Sequence, residues 1–131
     1  YQCSLDPAEL ITHFELALPP QGVTYSGFHK IGRRRELAIA RMSMAVMAGQ
    51  NADGRIEFLR FALGACTPTP HRFGDVEKAL IDQVPDDRLL WQTGRMLADQ
   101  MLAVTGRRPS AIYKEPAIQG LFVRLMQPLV R

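Results

Sequence analysis

At 131 residues, with 47% hydrophobic and 22% charged side chains, the chain has the size of one domain and the composition of an ordinary globular protein, which excludes wholesale disorder. Its formal charge of +3 is too small a basic excess to mark a nucleic-acid binder by itself. No apolar run approaches the roughly 20 residues of a membrane span and no charged-then-apolar leader opens the chain, so the expectation is a soluble cytoplasmic protein.

Tyr1 stands where a complete chain would carry methionine, so the sequence reads as part of something longer, and residues 1–8 read as a connector. Asp6-Pro7 is a turn, because the residue before proline is pushed out of the helical region. From Glu9 to Leu18 apolar residues recur at Leu10, Phe14, Leu16 and Leu18, with Ile11 and Ala17 on the other parity. That spacing predicts a strand, ended by Pro19-Pro20-Gln21-Gly22.

Val23 to Ile31 reads as extended or irregular. Phe28 to Arg41 then packs Lys30, Arg33, Arg34 and Arg35 directly before the oily run Leu37, Ala38, Ile39, Ala40, which reads as an entry into the core. From Ala38 to Ala48 the even positions are all apolar, predicting a strand. Asn51-Ala52-Asp53-Gly54 is a hairpin signal, and Arg55 to Cys66 returns as the partner strand with Leu59, Phe61, Leu63 and Ala65 on one face.

Beyond Thr67-Pro68-Thr69-Pro70 the period lengthens to that of helices. Asp75 is placed to cap a short helix through Ile81, and Pro85-Asp86-Asp87 opens a longer one that Gly106 stops. Leu89, Leu90, Thr93, Met96, Leu97, Met101 and Val104 form its stripe, and Gly94 inside it predicts the close approach of another element. Ser110 caps a last helix with apolar positions Ile112, Ala117, Leu121, Phe122, Leu125, Met126 and Leu129, where Pro116 either kinks it or marks its true first turn. Strands followed by helices predict an α+β fold: an antiparallel sheet with the helices stacked on one face.

No catalytic constellation is displayed. His13, His29 and His71 have no metal-ligand spacing, and there is no GxSxG, GxxxxGK[ST] or GxGxxG. Cys3 and Cys66 form no CxxC pair; reduced thiols are the expectation, with a disulfide between them left open by spacing alone. The basic run has three readings: a solvated turn, a nucleic-acid contact with Tyr25 or Phe28 stacking on bases, or a contact to an anionic cofactor edge or partner. The rest of the chain supplies no second basic stripe, which favours the cofactor or partner reading.

The segments HKIGRRRELAIARMSMAV and DGRIEFLRFALGACTPTPHRF, followed by SAIYK before an apolar helix, resemble the C-terminal domain of the FAD-binding subunit of molybdenum hydroxylases, the family of xanthine dehydrogenases and carbon monoxide dehydrogenase. The resemblance covers about Glu9 to Arg131. It implies a three-stranded antiparallel sheet covered by three helices, following a connector at 1–8 from FAD-binding domains that precede it. It implies FAD as cofactor, with the molybdenum cofactor in a large subunit, iron-sulfur clusters in a small subunit, and NAD or another acceptor taking the electrons. By position, cofactor contacts fall on Ile11 and Lys30, with Phe28 and His29 as neighbours. No catalytic or metal-binding residue is implied, nor nucleic acid or membrane, and the domain alone is expected to be inactive. Where the family commonly carries Tyr-Arg, this chain has Tyr113-Lys114, and lysine lacks arginine's planar fork. The competing reading is a non-catalytic module binding protein or RNA through the basic loop 30–35.

Overall fold

The even-numbered apolar residues Met42, Met44, Val46 and Ala48 form the middle of the core in the computed structural model, each at most 2% exposed. The model describes residues 4–34 and 38–130. They lie on β2 (Ala40–Gln50), which pairs antiparallel with β1 (Tyr25–Gly32) on one side and β3 (Ile56–Gly64) on the other. The sheet order is β1-β2-β3, and α1 (Gly74–Leu80), α2 (Asp87–Thr105) and α3 (Ala111–Met126) follow, so the α+β expectation holds.

The hairpin forms where the sequence places it. Asn51 Oδ1 accepts from the amides of Asp53 and Arg55, both at 3.0 Å, and Gly54 takes the positive φ of 81° that a side chain would resist. A register shift at Gly49/Gln50 moves Ile56 onto the core side, where it is fully buried.

The first strand is not where alternation put it. Glu9 to Leu18 has no regular structure and is exposed throughout, and the third strand of the sheet is Tyr25–Gly32. That stretch escaped detection because its core side carries Gly27 and its solvent side carries Phe28, which inverts the usual contrast. Gly27 is required there: a Cβ would come within 2.6 Å of the Tyr25 hydroxyl and 2.9 Å of Leu125 Cδ1. The oily run at 37–40 does not enter the core as a block either. Ile39 is 94% exposed, Ala38 and Ala40 are half-buried, and Leu37 lies outside the described residues, as do Arg35 and Cys3.

Asp86 caps α2 as its position suggested, its carboxylate accepting from the Leu89 amide at 2.6 Å, and Gly106 ends the helix with φ 69°. Gly94 meets α3 at Gln119 and Phe122, 3.4 Å from where a methyl would sit. Val104, read as part of the α2 stripe, is half exposed. Phe73, not Asp75, occupies the position before α1, and Asp75 instead faces Lys78 one turn on, at 3.4 Å. In α3, Ser110 stands at the N-cap without a side-chain cap bond, and Pro116 is interior. Its ring lacks the amide hydrogen that the Ile112 carbonyl would accept. Ile112 is on the wet side, 83% exposed, because the buried stripe runs through Ala111, Ile118, Phe122 and Leu125, and Ile118 rather than Ile112 lies on it.

A hydrogen bond ties β1 to the helical layer. The Tyr25 hydroxyl donates to the Leu125 carbonyl at 2.7 Å, in the last turn of α3, where carbonyls lack helical partners. Burial pushes the phenol pKa up, so the donor keeps its proton. Tyr25→Phe is expected to cost about 1 kcal/mol of stability, read by urea unfolding, and an unchanged midpoint would show the bond to be incidental.

Candidate functional site: the open face of the sheet

The helices cover one face of the sheet, and the register defines the other. Side chains directly opposite across strands share a face. Phe28 pairs with Ala45 and Ala45 with Ala62, Lys30 with Ser43 and Ser43 with Gly64, Ser26 with Met47 and Met47 with Arg60. The burial of β1 alternates with the same parity: Tyr25, Gly27 and His29 are half-buried toward the helices, while Ser26, Phe28 and Lys30 are exposed. The open face is thus a floor of small residues, Ser43, Ala45, Ala62 and Gly64, edged by Phe28 and Lys30 on one strand and Met47 and Arg60 on the others.

A shallow depression of about 140 Å³ lies on this face, lined by Ala45, Met47, Arg60 and Ala62 among others. Arg60 stacks over the Phe58 ring at 5.2 Å, which holds its guanidinium at the rim. Lys30 Nζ donates to the Ala38 carbonyl at 3.2 Å, so its charge is held near the start of β2. The cations continue past this point. Two larger open cavities, of about 490 and 510 Å³, share Arg33 and Arg34; Ile39 and Arg41 line the first, Lys30 and Ile31 the second.

The predicted site residues therefore divide. Phe28 and Lys30, two apart on one strand, share the open face; His29 between them faces the helical side. Ile11 is half exposed in the irregular leading segment and is not among the residues lining the Lys30 cavity. Ala45, Ala62, Met47 and Arg60 were not singled out from the sequence. Part of their signal was present, since the parity of each strand puts them on the side away from the core, but the register shift at Gly49/Gln50 hid which of them face each other.

The chain enters the domain over this same face. Gly49 is buried on it, and the Gly22 carbonyl occupies the place a Gly49 side chain would need. Thr24 then begins the pairing, its amide donating to Ala48 at 2.9 Å.

The other chemical groups are structural. Among the described residues no three His, Cys, Asp or Glu side chains gather to hold a metal ion, and no helix is long and apolar enough to cross a membrane. Cys66 is a buried free thiol whose pKa burial pushes up, with the Lys114 charge opposing. Lys114 Nζ donates to the Ala65 carbonyl at 3.1 Å, a single contact that needs no planar fork. Ala65, expected on the core face of β3, is exposed beyond its end with φ 60°. His71 pairs with Leu63 through the backbone and stacks edgewise on Phe73 at 4.7 Å.

The fold recurs in solved enzymes. A Cu,Mo-CO dehydrogenase in cyanide-inactivated form superposes with a TM-score of 0.68 at 22% identity, over 84% of this chain and 37% of that one. Carbon monoxide dehydrogenase from Hydrogenophaga pseudoflava, lacking the Mo-pyranopterin moiety, gives 0.66 at 20% identity over 82% and 37%. Quinoline 2-oxidoreductase from Pseudomonas putida 86 gives 0.57 at 18% identity over 81% and 38%. The chain thus spans under two fifths of the length of the solved chains it matches. No curated protein matches it. The family of the CO dehydrogenase flavoprotein C-terminal domain matches residues 27–129, which takes in most of β1, all of β2 and β3 and all three helices, and the chain belongs to that family.

Proposed function

We propose that this domain closes over the flavin of a cytoplasmic molybdenum-dependent oxidoreductase of the xanthine dehydrogenase type, and that the open sheet face is the surface it presents. The observation that carries this reading is the pairing of a small-residue floor with Phe28 and Lys30 on one face. A planar ring needs a flat floor, and Ser43, Ala45, Ala62 and Gly64 leave one, with no branched side chain standing up from it. An electron-rich ring edge needs a cation, and Lys30 is anchored beside that floor. Phe28, 63% exposed, supplies apolar area that gains by being covered. Ile11 would cover the ring from the leading segment, and His29 would act from the helical side by holding β1 in place.

The residues fit FAD as a partial site. When bound, the flavin carries the electron transfer, while this chain contributes shape, exclusion of water and one positive charge. The principal grip belongs to FAD-binding domains preceding this one in the same subunit. The molybdenum-binding large subunit and the iron-sulfur small subunit would deliver electrons, and NAD or another acceptor would remove them.

A cation beside the ring favours the anionic reduced flavin, so losing it lowers the potential. Lys30→Met in the complete flavoprotein subunit is expected to shift the flavin midpoint to more negative values and weaken FAD retention by about three- to ten-fold, the modest effect expected of a solvent-screened charge. Redox titration and FAD dissociation measure both. Unchanged potential and retention in a folded variant would remove Lys30 from the site.

A further inference from the structure

Groups that are structural as far as the flavin is concerned meet in a second place. Just past the end of β3, Ala65 takes φ 60° and Cys66 turns inward, 8% exposed. A cavity of about 40 Å³ lies there between the end of α2 and the start of α3, lined by Cys66, Met101, Thr105, Arg108, Ser110 and Lys114 among others. That is on the order of three water-sized volumes, room for a group of a few heavy atoms. The buried Cys66 and Met101 form its floor, and the exposed Gly106 and Arg108 its mouth.

The lining carries two cations and no acid. Lys114 Nζ donates to the Ala65 carbonyl at 3.1 Å, which holds its charge beside the Cys66 thiol. Burial outweighs that charge and keeps the thiol protonated, so it can donate, and it has no hydrogen-bond partner among the described residues. Arg107 takes Glu115 at 3.4 Å, but no described acid pairs with Arg108. Ser110 gives no cap bond and the first turn of α3 holds no acid, which leaves the positive end of that helix unopposed.

The end of α2 does not absorb these charges. The Leu102 carbonyl accepts from the Gly106 amide at 2.8 Å and the Met101 carbonyl from the Thr105 hydroxyl at 3.0 Å. Two cations lining one cavity repel each other unless an anion lies between them, and a buried donor without an acceptor is costly. The same charges turn metal cations away.

We propose that this cavity binds a small tetrahedral oxyanion of the phosphate type, held by Lys114, Arg108 and Ser110 with the Cys66 thiol beneath it. Charge-assisted bonds from an ammonium and a guanidinium supply the affinity, and the shallow floor limits the size. The anion would join the end of β3, the α2–α3 connection and the first turn of α3, so that its binding stiffens this corner of the domain. The site is separate from the flavin face, since none of its lining residues lines the depression over Ala45 and Ala62.

Calorimetric titration of inorganic phosphate into the complete FAD-loaded subunit, in a constant chloride background, tests this independently of the flavin reading. Binding is expected, weakened about ten-fold by Arg108→Gln and by at least as much in Lys114→Gln, whereas Lys114→Arg keeps the charge and should stay within about three-fold. Cys66→Ser leaves a donor on the floor and should bind as the natural chain does; Cys66→Leu fills the floor and should abolish binding. Arg88→Gln, at the opposite end of α2, should change nothing. Arg108 is exposed, so its variant tests the site without disturbing the core. No binding at millimolar phosphate would overturn the proposal and leave the cavity to water. Binding that Arg108→Gln leaves unchanged, or that Arg88→Gln weakens equally, would belong to another surface and would overturn it too.

Discussion

Phe122→Ala is expected to destabilise the domain by about 4 kcal/mol, the largest single-residue effect in the molecule. Phe122 of α3 is fully buried where that helix meets β3 and α2. Its ring packs edgewise on Phe61 of β3, centroids 5.7 Å apart at 67°, and one edge lies 3.4 Å from the position of a Gly94 methyl on α2. Truncation removes the transfer energy of a large ring and leaves a void whose walls are a sheet and a helix. Neither relaxes easily, because β3 is held by its ladder and α2 already contacts α3 along its buried face. A domain with the usual 5–15 kcal/mol of stability would lose a large part of it. Urea unfolding measures the loss, and Phe122→Leu should recover most of it. A cost below about 1 kcal/mol for Phe122→Ala would mean that the ring does not fill the junction.

Gly94 shows why that junction was partly legible in the sequence. A glycine in an otherwise strong helix has a conformational cost, so its presence implied a neighbour, and α3 is that neighbour. Which residues of α3 approach was not legible, because the apolar positions start at Ile112 in the sequence whereas the buried stripe runs through Ala111, Ile118, Phe122 and Leu125. β2, β3, the hairpin and the ends of α2 could be read directly, since each is set by residues within a few positions of it. Glu9–Leu18 misled for the opposite reason. Alternation reports that one side of a segment is apolar, and it carries no information about which sheet receives that side. In the candidate site Phe28 and Lys30 lie two apart on β1 and share a face that His29 does not, a separation that was not legible because the strand itself reads in the sequence only as extended or irregular. The small floor depended on pairing between strands and became visible only with the register.

Glu77 is the residue that sequence patterns conceal most completely, and its removal carries the second large effect. A glutamate in a short helix reads as a solvent-facing charge, yet its side chain is only 6% exposed. With Phe73, Val76 and Leu80 it forms the buried face of the α1 region, aimed at the outer edge of β3. One carboxylate oxygen accepts from the Phe61 amide at 3.1 Å and from Arg72 Nε at 2.9 Å; the other accepts from Arg72 Nη2 at 2.6 Å, with Arg60 3.7 Å away. Glu77→Ala leaves the Phe61 amide without an acceptor and breaks a bidentate pair, for an expected loss of about 3 kcal/mol. The ion-pair share is moderated by solvent, since both arginines are about half exposed. Glu77→Gln keeps an oxygen for the Phe61 amide and should lose only about half as much. Burial by itself would raise the carboxyl pKa; the hydrogen bonds from Arg72 and Phe61 and the charges of Arg72 and Arg60 outweigh it and hold the value below the ordinary 4.5. The unfolded chain therefore takes up this proton at higher pH than the native one. The carboxylate's contribution is complete above the ordinary value and is lost as pH falls from there through the native pKa. Measured against Glu77→Gln, the stability advantage of the natural chain should be constant above about pH 5.5 and shrink steadily in acid. An advantage that grew on acidification would reverse the assigned shift, and one that did not change with pH would mean that the carboxylate is not the group holding α1 to the sheet.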